Sequence, residues 1–143
     1  MTFCSEFFHM TTGGNEQTDN MERWDVLLKD YPAGNGYQNI IGYMQAILNE
    51  NTWLRYDYGA IKNMDKYGQV TPPAVPVGQI SVPVGLFVGT LDELATVADN
   101  EWLASQLSEG VLVEHKTYDL DHWSFSMARD MSFFTDDVMS LVS

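Results

Sequence analysis

The sequence has one cysteine, seven basic residues and no long apolar run. A single cysteine cannot form a disulfide within the chain, so it says little about the redox compartment. Twenty Asp and Glu against seven Lys and Arg give a formal net charge of −13. This charge argues against a nucleic-acid partner and against electrostatic docking on anionic lipid, because both need basic side chains. No window approaches the roughly 18 apolar residues of a membrane-spanning helix, so no transmembrane segment is predicted.

Two targeting signals are also lacking. The first residues, Met1–Glu6, have no basic stretch and include an early glutamate, so they do not predict a secretory leader. No Asn-x-Ser/Thr acceptor for N-glycosylation occurs. What is present is a globular composition, with 143 residues of which 45% are hydrophobic. This length is enough for one domain with its own core.

The first half of the chain predicts helices and loops. Residues 11–20 are polar and contain two glycines, which indicates an exposed loop. Residues 21–52 predict two amphipathic helices, separated by the helix-breaking sequence Tyr31–Gly36. Residues 53–79 predict irregular structure, because they end in three prolines within 72–76. The aromatic and Met residues of these segments are better explained as packing residues than as a cofactor site, and no cofactor is predicted.

The second half has a different pattern. The apolar run 82–89 predicts a strand buried on both faces of a parallel sheet. A helix over about 97–108, ended by Gly110, and a second strand over 111–118 follow. The tail predicts one helix with an apolar face formed by Met127, Met131, Phe134, Val138 and Leu141. The order strand, helix, strand, helix predicts an α/β fold.

Two ionisable residues follow the two predicted strands. Asp92 comes after the first strand and His122 after the second. The loops at the carboxyl ends of parallel strands carry the functional residues of open α/β sheets. An acid after one strand and a histidine after the next is the chain order of the α/β-hydrolases, in which the nucleophile comes earlier. In such a triad the histidine takes the nucleophile's proton and the aspartate orients the imidazole.

Other constellations are weaker. Cys4 with His9 has no orienting acid at a recognisable spacing, so a buried thiol is the preferred interpretation. A metal site at His115, Asp119, Asp121 and His122 is disfavoured, because His122 falls on the opposite side of an extended strand from the other three. No metal is therefore predicted.

Four polar residues near the predicted pair have structural interpretations. Ser124 and Ser126 are expected to cap the final helix rather than act as nucleophiles. Asp121 is a candidate for supporting His122. Asp99 is expected to cap the helix after the Asp92 loop. It is the alternative partner of His122 if Asp92 faces away.

The chain resembles the acid lipases, the gastric, lingual and lysosomal enzymes of the α/β-hydrolase fold, from about Met21 to its end. The residues similar to the helical cap of that family are 20–26, 31–34, 38–40 and 45–46. Those similar to the return from cap to core are 56–59, Asn63, 67–69 and 71–73. The segments Val82–Pro83 and Gly89-x-x-Asp92-x-Leu94-Ala95 are similar to the strand and loop that present the catalytic aspartate, and 121–125 to the histidine loop.

The resemblance implies the C-terminal portion of an α/β-hydrolase, with the last two parallel strands and helices of the core preceded by part of a helical cap. On this interpretation residues 1–77 are cap and residues 78–143 are core. The family's nucleophile stands on a Gly-x-Ser-x-Gly elbow, but the one strand-like glycine pair with this spacing, Gly85 and Gly89, encloses Phe87. The family also pairs a cysteine near Cys4 with another, and Gly13 or its neighbours stand at the partner's place.

Two functions follow from the resemblance as hypotheses. In the first, the chain supplies Asp92 and His122 to an acylglycerol or steryl ester hydrolase, whose serine comes from an N-terminal half, and it is inactive alone. In the second, it is an inactive, hydrolase-derived subunit of a larger assembly. The family implies a lysosomal or secreted location, for which the chain carries no signal of its own.

Overall fold

The computed structural model of the chain describes residues 14–31, 33–49 and 52–142. It divides into two compact units, one that combines the segment ending at Tyr31 with Gly78–Ser143, and one that is Pro32–Val77. The assignment of 1–77 to a cap and 78–143 to a core stays a prediction. Within the described ranges, no helix combines the length and the apolar character needed to cross a membrane.

The first helix begins after Asn20, whose side chain accepts the N–H of Glu22. The 3-10 turn Met21–Arg23 leads into α1, Trp24–Asp30. The buried apolar cluster that α1 joins consists of Trp24, Trp123 and Met127, with Met21, Leu27 and Leu28 packed against it. The predicted helix and its apolar face are confirmed.

The second unit contains α2, Tyr37–Ile47, and α3, Ala60–Tyr67. The break predicted before α2 is confirmed, but the prediction of irregular structure for 53–79 was wrong over the eight residues of α3. Glycines with positive φ bound this helix, Gly59 at +83° and Gly68 at +72°. The prolines that argued against a helix lie beyond its end, so they limit its length without preventing it.

Asn63 connects α3 to the loops on either side of it. The residue is 1% exposed. Its amide nitrogen donates to Asp57 Oδ1 at 2.7 Å and to the carbonyl oxygen of Val70 at 3.0 Å. Its amide oxygen accepts the N–H of Tyr58 at 2.9 Å. These hydrogen bonds hold the segments before and after α3 together.

The first unit contains a parallel pair of strands. Strand β1, Val84–Gly89, pairs with β2, Leu112–Tyr118, and α4, Val97–Gln106, connects them. The predicted strand–helix–strand order is confirmed. The prediction that β1 is buried on both faces was wrong for most of the strand, because only Val88 and Gly89 are buried among its residues. With one strand as its neighbour in the described sheet, the rest of β1 has little to cover it.

The prediction of a single helix in the tail was also wrong. Helix α5, Ser124–Met127, is followed by an irregular segment in which Ala128 forms an antiparallel bridge with Asp19. A π-helical stretch, Phe133–Val138, then leads into α6, Met139–Val142. Phe133 is buried in place of the expected Phe134. The irregular segment between α5 and Phe133 breaks the helical phase, so the 3.6-residue period counted from Met127 no longer identifies the buried face.

Candidate active site

The loops that follow β1 and β2 are joined by hydrogen bonds. The N–H of Thr90 donates to the carbonyl oxygen of Tyr118 at 2.8 Å, and that of Leu91 to Leu120 at 3.2 Å. The hydroxyl of Thr90 donates to Asp119 Oδ1 at 2.8 Å. These contacts extend the parallel pairing beyond the strands, so the two loops form one edge.

Asp92 and His122 meet at this edge. Oδ2 of Asp92 lies 3.0 Å from Nδ1 of His122, which is a hydrogen-bonding distance. The other carboxylate oxygen, Oδ1, accepts the N–H groups of Leu94 and Ala95, both at 2.8 Å. The Asp92 side chain is 4% exposed and the His122 side chain 42% exposed. The acid is therefore fixed and shielded, while the imidazole reaches the surface of the described residues.

The environment of Asp92 favours its charged form. Burial raises the pKa of the carboxyl, but hydrogen bonds from Ala95, His122 and Leu94 and the charge of His122 lower it, and the result is a pKa below the ordinary 3.8. Hydrogen bonds from backbone N–H groups stabilise a carboxylate directly. Asp92 is thus an anion at neutral pH.

This geometry determines which nitrogen of His122 carries the proton. A carboxylate can only accept, so the neutral imidazole has its proton on Nδ1, facing Asp92. Nε2 is then the acceptor, and among the described residues no side chain hydrogen-bonds to it. A histidine held in this tautomer can take a proton from a hydroxyl placed at Nε2.

Asp121 supports the turn that carries His122. Its Oδ1 accepts the N–H groups of Trp123 at 2.8 Å and Ser124 at 2.9 Å, so its side chain caps the start of α5. The other oxygen, Oδ2, is buried and has no hydrogen-bond partner among the described residues. Among the described residues, no hydrogen bond joins the Asp121 side chain to the imidazole, whereas its bonds to the backbone of Trp123 and Ser124 fix the turn.

The two serines of α5 do not cap a helix, and this prediction was wrong. Ser124 is fully buried and its hydroxyl bonds to side chains of the first unit, among them Asp19 at 2.7 Å. Ser126 is exposed. The hydroxyl of Ser124 is committed to these buried partners, which argues against a role as nucleophile.

The remaining candidates lie elsewhere. The N-cap of α4 is Thr96, whose hydroxyl oxygen accepts the N–H of Asp99. The same hydroxyl donates to the Asp99 carboxylate at 2.7 Å. The prediction that Asp99 is the cap was therefore wrong, although Asp99 holds the capping hydroxyl in place. Within the ranges 14–31, 33–49 and 52–142, no three His, Cys, Asp or Glu side chains are grouped so that they could hold a metal ion. Cys4 and His9 lie outside the described residues.

Sequence reasoning missed Thr18 and Asp19. Both lie in the segment predicted to be an exposed polar loop, yet Asp19 is fully buried. Nothing in a run of polar residues distinguishes a carboxylate that contacts solvent from one that contacts a serine about a hundred positions later. Only the tertiary structure reveals it.

The proteins that the chain resembles are all lipases in the three cases that follow, although no family model matches the chain. The tear acid lipase-like protein of Mesocricetus auratus is 31% identical over 97% of this chain and 35% of its own length. The gastric triacylglycerol lipase of Bos taurus is 32% identical over 89% of the chain and 32% of its own length. The lysosomal acid lipase/cholesteryl ester hydrolase of Rattus norvegicus is 30% identical over 97% of the chain and 35% of its own length.

Over the stretch that it shares with them, the chain belongs to the acid lipase family. It spans about a third of the length of these curated relatives. Membership of the acid lipases indicates an α/β-hydrolase, and the helices and parallel strand pair of the structure agree with a part of that fold.

Proposed function

We propose that the chain is the C-terminal part of a lipase-like carboxylic ester hydrolase, and that it supplies two members of a Ser-His-Asp triad. The observation that carries the proposal is the contact of 3.0 Å between a buried Asp92 and an exposed His122. The contact forms where two successive parallel strands end, which is where α/β-hydrolases hold these two residues. Membership of the acid lipase family gives the pair a matching chemistry.

The proposed roles follow from the geometry. Asp92 keeps the imidazole proton on Nδ1 and stabilises the imidazolium that forms when Nε2 accepts a proton. His122 is the general base that activates the serine, and then the general acid that protonates the leaving alcohol. After acylation it activates the water that hydrolyses the acyl-enzyme. The serine and the oxyanion-hole donors are proposed to come from an N-terminal half that carries a Gly-x-Ser-x-Gly elbow.

The two strands support the presence of such a half. β1 is composed of apolar residues and glycine, whereas β2 includes Glu114, His115 and Lys116. Charged residues are typical of an edge strand and protect it from further pairing. We therefore place the missing part of the sheet beside β1, on the side opposite β2. The length of the curated relatives, about three times that of this chain, leaves room for it.

The proposed substrates are acylglycerol or steryl esters. The names of two relatives specify triacylglycerol and cholesteryl ester. Residues 1–77 are proposed to be part of an apolar cap over the acyl chain. Several large apolar side chains of the second unit are exposed, as a surface that contacts lipid requires, among them Tyr43, Ile47, Leu48, Trp53 and Ile61.

The test begins with purification through a tag on this chain. Mass spectrometry of the complete protein, or of whatever polypeptide accompanies the chain, should reveal a Gly-x-Ser-x-Gly elbow. The purified material should hydrolyse p-nitrophenyl butyrate, and His122→Ala should lower kcat by about 10² to 10⁴ fold, the usual contribution of a general base. His115→Ala is the matched control, because this histidine is also exposed but lies on β2.

Two results would contradict the proposal. The first is equally slow hydrolysis by the wild type and His122→Ala. The second is a partner surface that fills the space around Nε2 of His122 without a serine. Either result favours the alternative of an inactive structural subunit.

A further inference from the structure

The segment of the chain just before α1 forms a cluster of buried polar side chains with the loop that carries His122. This buried polar cluster consists of Asp19, Asp121 and Ser124, with the half-buried Thr18 beside them. Asp19, Asp121 and Ser124 are each at most 1% exposed. Burial of two carboxylates and a hydroxyl is unfavourable unless they bond to one another or to the backbone, so the arrangement requires an explanation.

Ser124 connects the two carboxylates. Its Oγ lies 2.7 Å from Asp19 Oδ1 and 3.1 Å from Asp121 Oδ1. A hydroxyl has one proton, and Asp121 Oδ1 already accepts two backbone N–H groups. Oγ also lies 3.0 Å from the hydroxyl oxygen of Thr18. The contact with Asp19 is the shortest of the three, so we assign the proton of Ser124 to it. Oγ also lies 3.3 Å from the N–H of Asp121, from which it accepts.

Three backbone contacts strengthen the same connection. The N–H of Asn20 donates to the carbonyl oxygen of Met127 at 2.7 Å, and the N–H of Arg129 donates to Thr18 at 2.8 Å. The guanidinium of Arg129 donates through Nε to the carbonyl oxygen of Asp19 at 2.9 Å. Residues 18–20 thus contact α5 at its first residue, Ser124, at its last residue, Met127, and at Arg129 just beyond it.

We propose that Asp19 is a positioning residue for His122. It fixes the hydroxyl of Ser124, and through it the turn that Asp121 caps, so that Nδ1 of His122 faces Asp92. The proposal rests on the proposed function, because the position of the imidazole matters to turnover only if His122 is the base. Asp19 touches none of the reacting atoms, so its effect is transmitted by the turn 121–124.

The position of the imidazole depends on this turn because its ring contact, edge-on to Trp123 at 6.1 Å between centroids, is with a residue of the same turn. His122 is 42% exposed and makes one side-chain hydrogen bond among the described residues, the one to Asp92. A small displacement of its Cα would lengthen that bond, and the proton would then no longer be held on Nδ1. Misplacement of a catalytic group by about 1 Å commonly costs on the order of 10² in rate.

Three variants of the complete protein test the proposal. Ser124→Ala removes the hydroxyl with little change in volume, and Asp19→Ala removes the acceptor. Asp19→Asn keeps an oxygen that can accept from Ser124, and is the rescue variant. Ser126→Ala is the matched control, because Ser126 is on the same helix but exposed. If Asp19→Ala does not fold, Ser124→Ala decides.

The readouts separate positioning from stability. We measure kcat and KM with p-nitrophenyl butyrate per folded molecule, and the tautomer of the neutral His122 imidazole by ¹H–¹⁵N NMR. Ser124→Ala and Asp19→Ala are expected to lower kcat by about 10 to 100 fold with KM within about twofold, and to move the proton from Nδ1 towards Nε2. Asp19→Asn and Ser126→Ala are expected to remain within about threefold of the wild type in kcat.

The proposal is overturned if both removals lower only the unfolding temperature and leave kcat and the tautomer unchanged. It is also overturned if Asp19→Asn loses as much activity as Asp19→Ala. A wild type that hydrolyses no ester, but whose His122 tautomer shifts in both variants, refutes the proposed function and supports the positioning of His122 by Asp19.

Discussion

Gly89 and Leu120 approach so closely that a side chain on the glycine would collide with the leucine carbonyl oxygen. Leu120 lies two residues before His122, and Gly89 three before Asp92. The hydrogen bond from Leu91 to the same carbonyl is formed beside this contact. The absence of a Cβ at position 89 therefore lets the aspartate loop and the histidine loop meet.

Gly89→Ala is expected to separate the two loops. The added Cβ would meet backbone atoms of Leu120, which cannot rotate away, so the free energy of unfolding should fall by about 1–3 kcal/mol, as in other overpacked sites. Urea-induced unfolding of the complete protein measures this loss. Gly36→Ala is the control, since nothing lies within 4 Å of a Cβ built there. Equal stability of both variants would contradict the close approach.

Asp92→Asn should change how stability depends on pH. The pKa of Asp92 is lowered in the folded protein, so the folded state favours the carboxylate more than the unfolded chain does. This contribution is fully present above the ordinary pKa of 3.8 and is lost as the pH falls through the folded value. The wild type should therefore lose more stability than Asp92→Asn between about pH 5 and 2.

The check is a series of urea unfolding curves for both proteins across this pH range. Glu93→Gln, next in the chain and exposed, is the control for the removal of one negative charge. A difference between the wild type and Asp92→Asn that does not vary with pH would show that the carboxylate is not selectively stabilised. At neutral pH the amide should also lower esterase activity strongly, because it no longer selects the tautomer with the proton on Nδ1.

Tyr118→Phe should act at alkaline pH. The hydroxyl of Tyr118 donates to Asp137 Oδ2 at 2.7 Å, between β2 and the π-helical stretch. Burial raises the pKa of Tyr118 strongly, and the hydrogen bond and charge of Asp137 and the charge of Glu114 raise it further. A raised pKa gives stability that is present below the ordinary value of about 10 and is lost as the pH rises beyond it.

Above about pH 10 the wild type should thus lose stability through ionisation of Tyr118 in the unfolded chain, a loss that Tyr118→Phe cannot show. At neutral pH the free energy of unfolding of the variant should be lower by about 1–2 kcal/mol, because the hydrogen bond is missing. Thermal unfolding at neutral pH and at about pH 10.5 measures both effects. Tyr43→Phe, at an exposed tyrosine of α2, should change neither value. If both variants respond to alkali as the wild type does, Tyr118 is not held by Asp137.

Asn63→Ala should loosen the second unit. The buried amide of Asn63 makes three hydrogen bonds, and its loss leaves the N–H of Tyr58 and the carbonyl oxygen of Val70 without this partner. We expect the free energy of unfolding of this unit to fall by about 2–3 kcal/mol. Limited proteolysis should then cut within 52–77 at lower protease concentrations than in the wild type. Asn39→Ala, on an exposed position of α2, should leave the cleavage pattern unchanged.

The elements of the first unit could be predicted where local pattern and tertiary environment agree. The apolar run before Gly89 and the strand that ends at Tyr118 follow simple rules, and the residues after them are the ones that the structure joins at 3.0 Å. The positions of Asp92 and His122 directly after the two strands were sufficient to predict that they meet, because the carboxyl ends of parallel strands share one edge.

Prediction failed where distant contacts or backbone geometry decide. The 3.6-residue period placed Phe134 in the core, but the π-helical stretch buries Phe133. Ala128 leaves the expected helix to pair with Asp19, a partner from the other end of the unit. Helix α3 is bounded by glycines in the left-handed region, which a composition rich in aromatics and prolines concealed.

The contact between Asp19 and Ser124 joins positions 105 residues apart. Closing a flexible loop of that length costs about 4 kcal/mol of chain entropy, far more than a helical turn does. During synthesis Asp19 leaves the ribosome long before its partner exists, and it stays hydrated until the last part of the unit is made. The docking of residues 18–20 on the turn of His122 is therefore a late step of folding, and a chaperone or protease that binds the nascent protein meets this turn before that contact has formed.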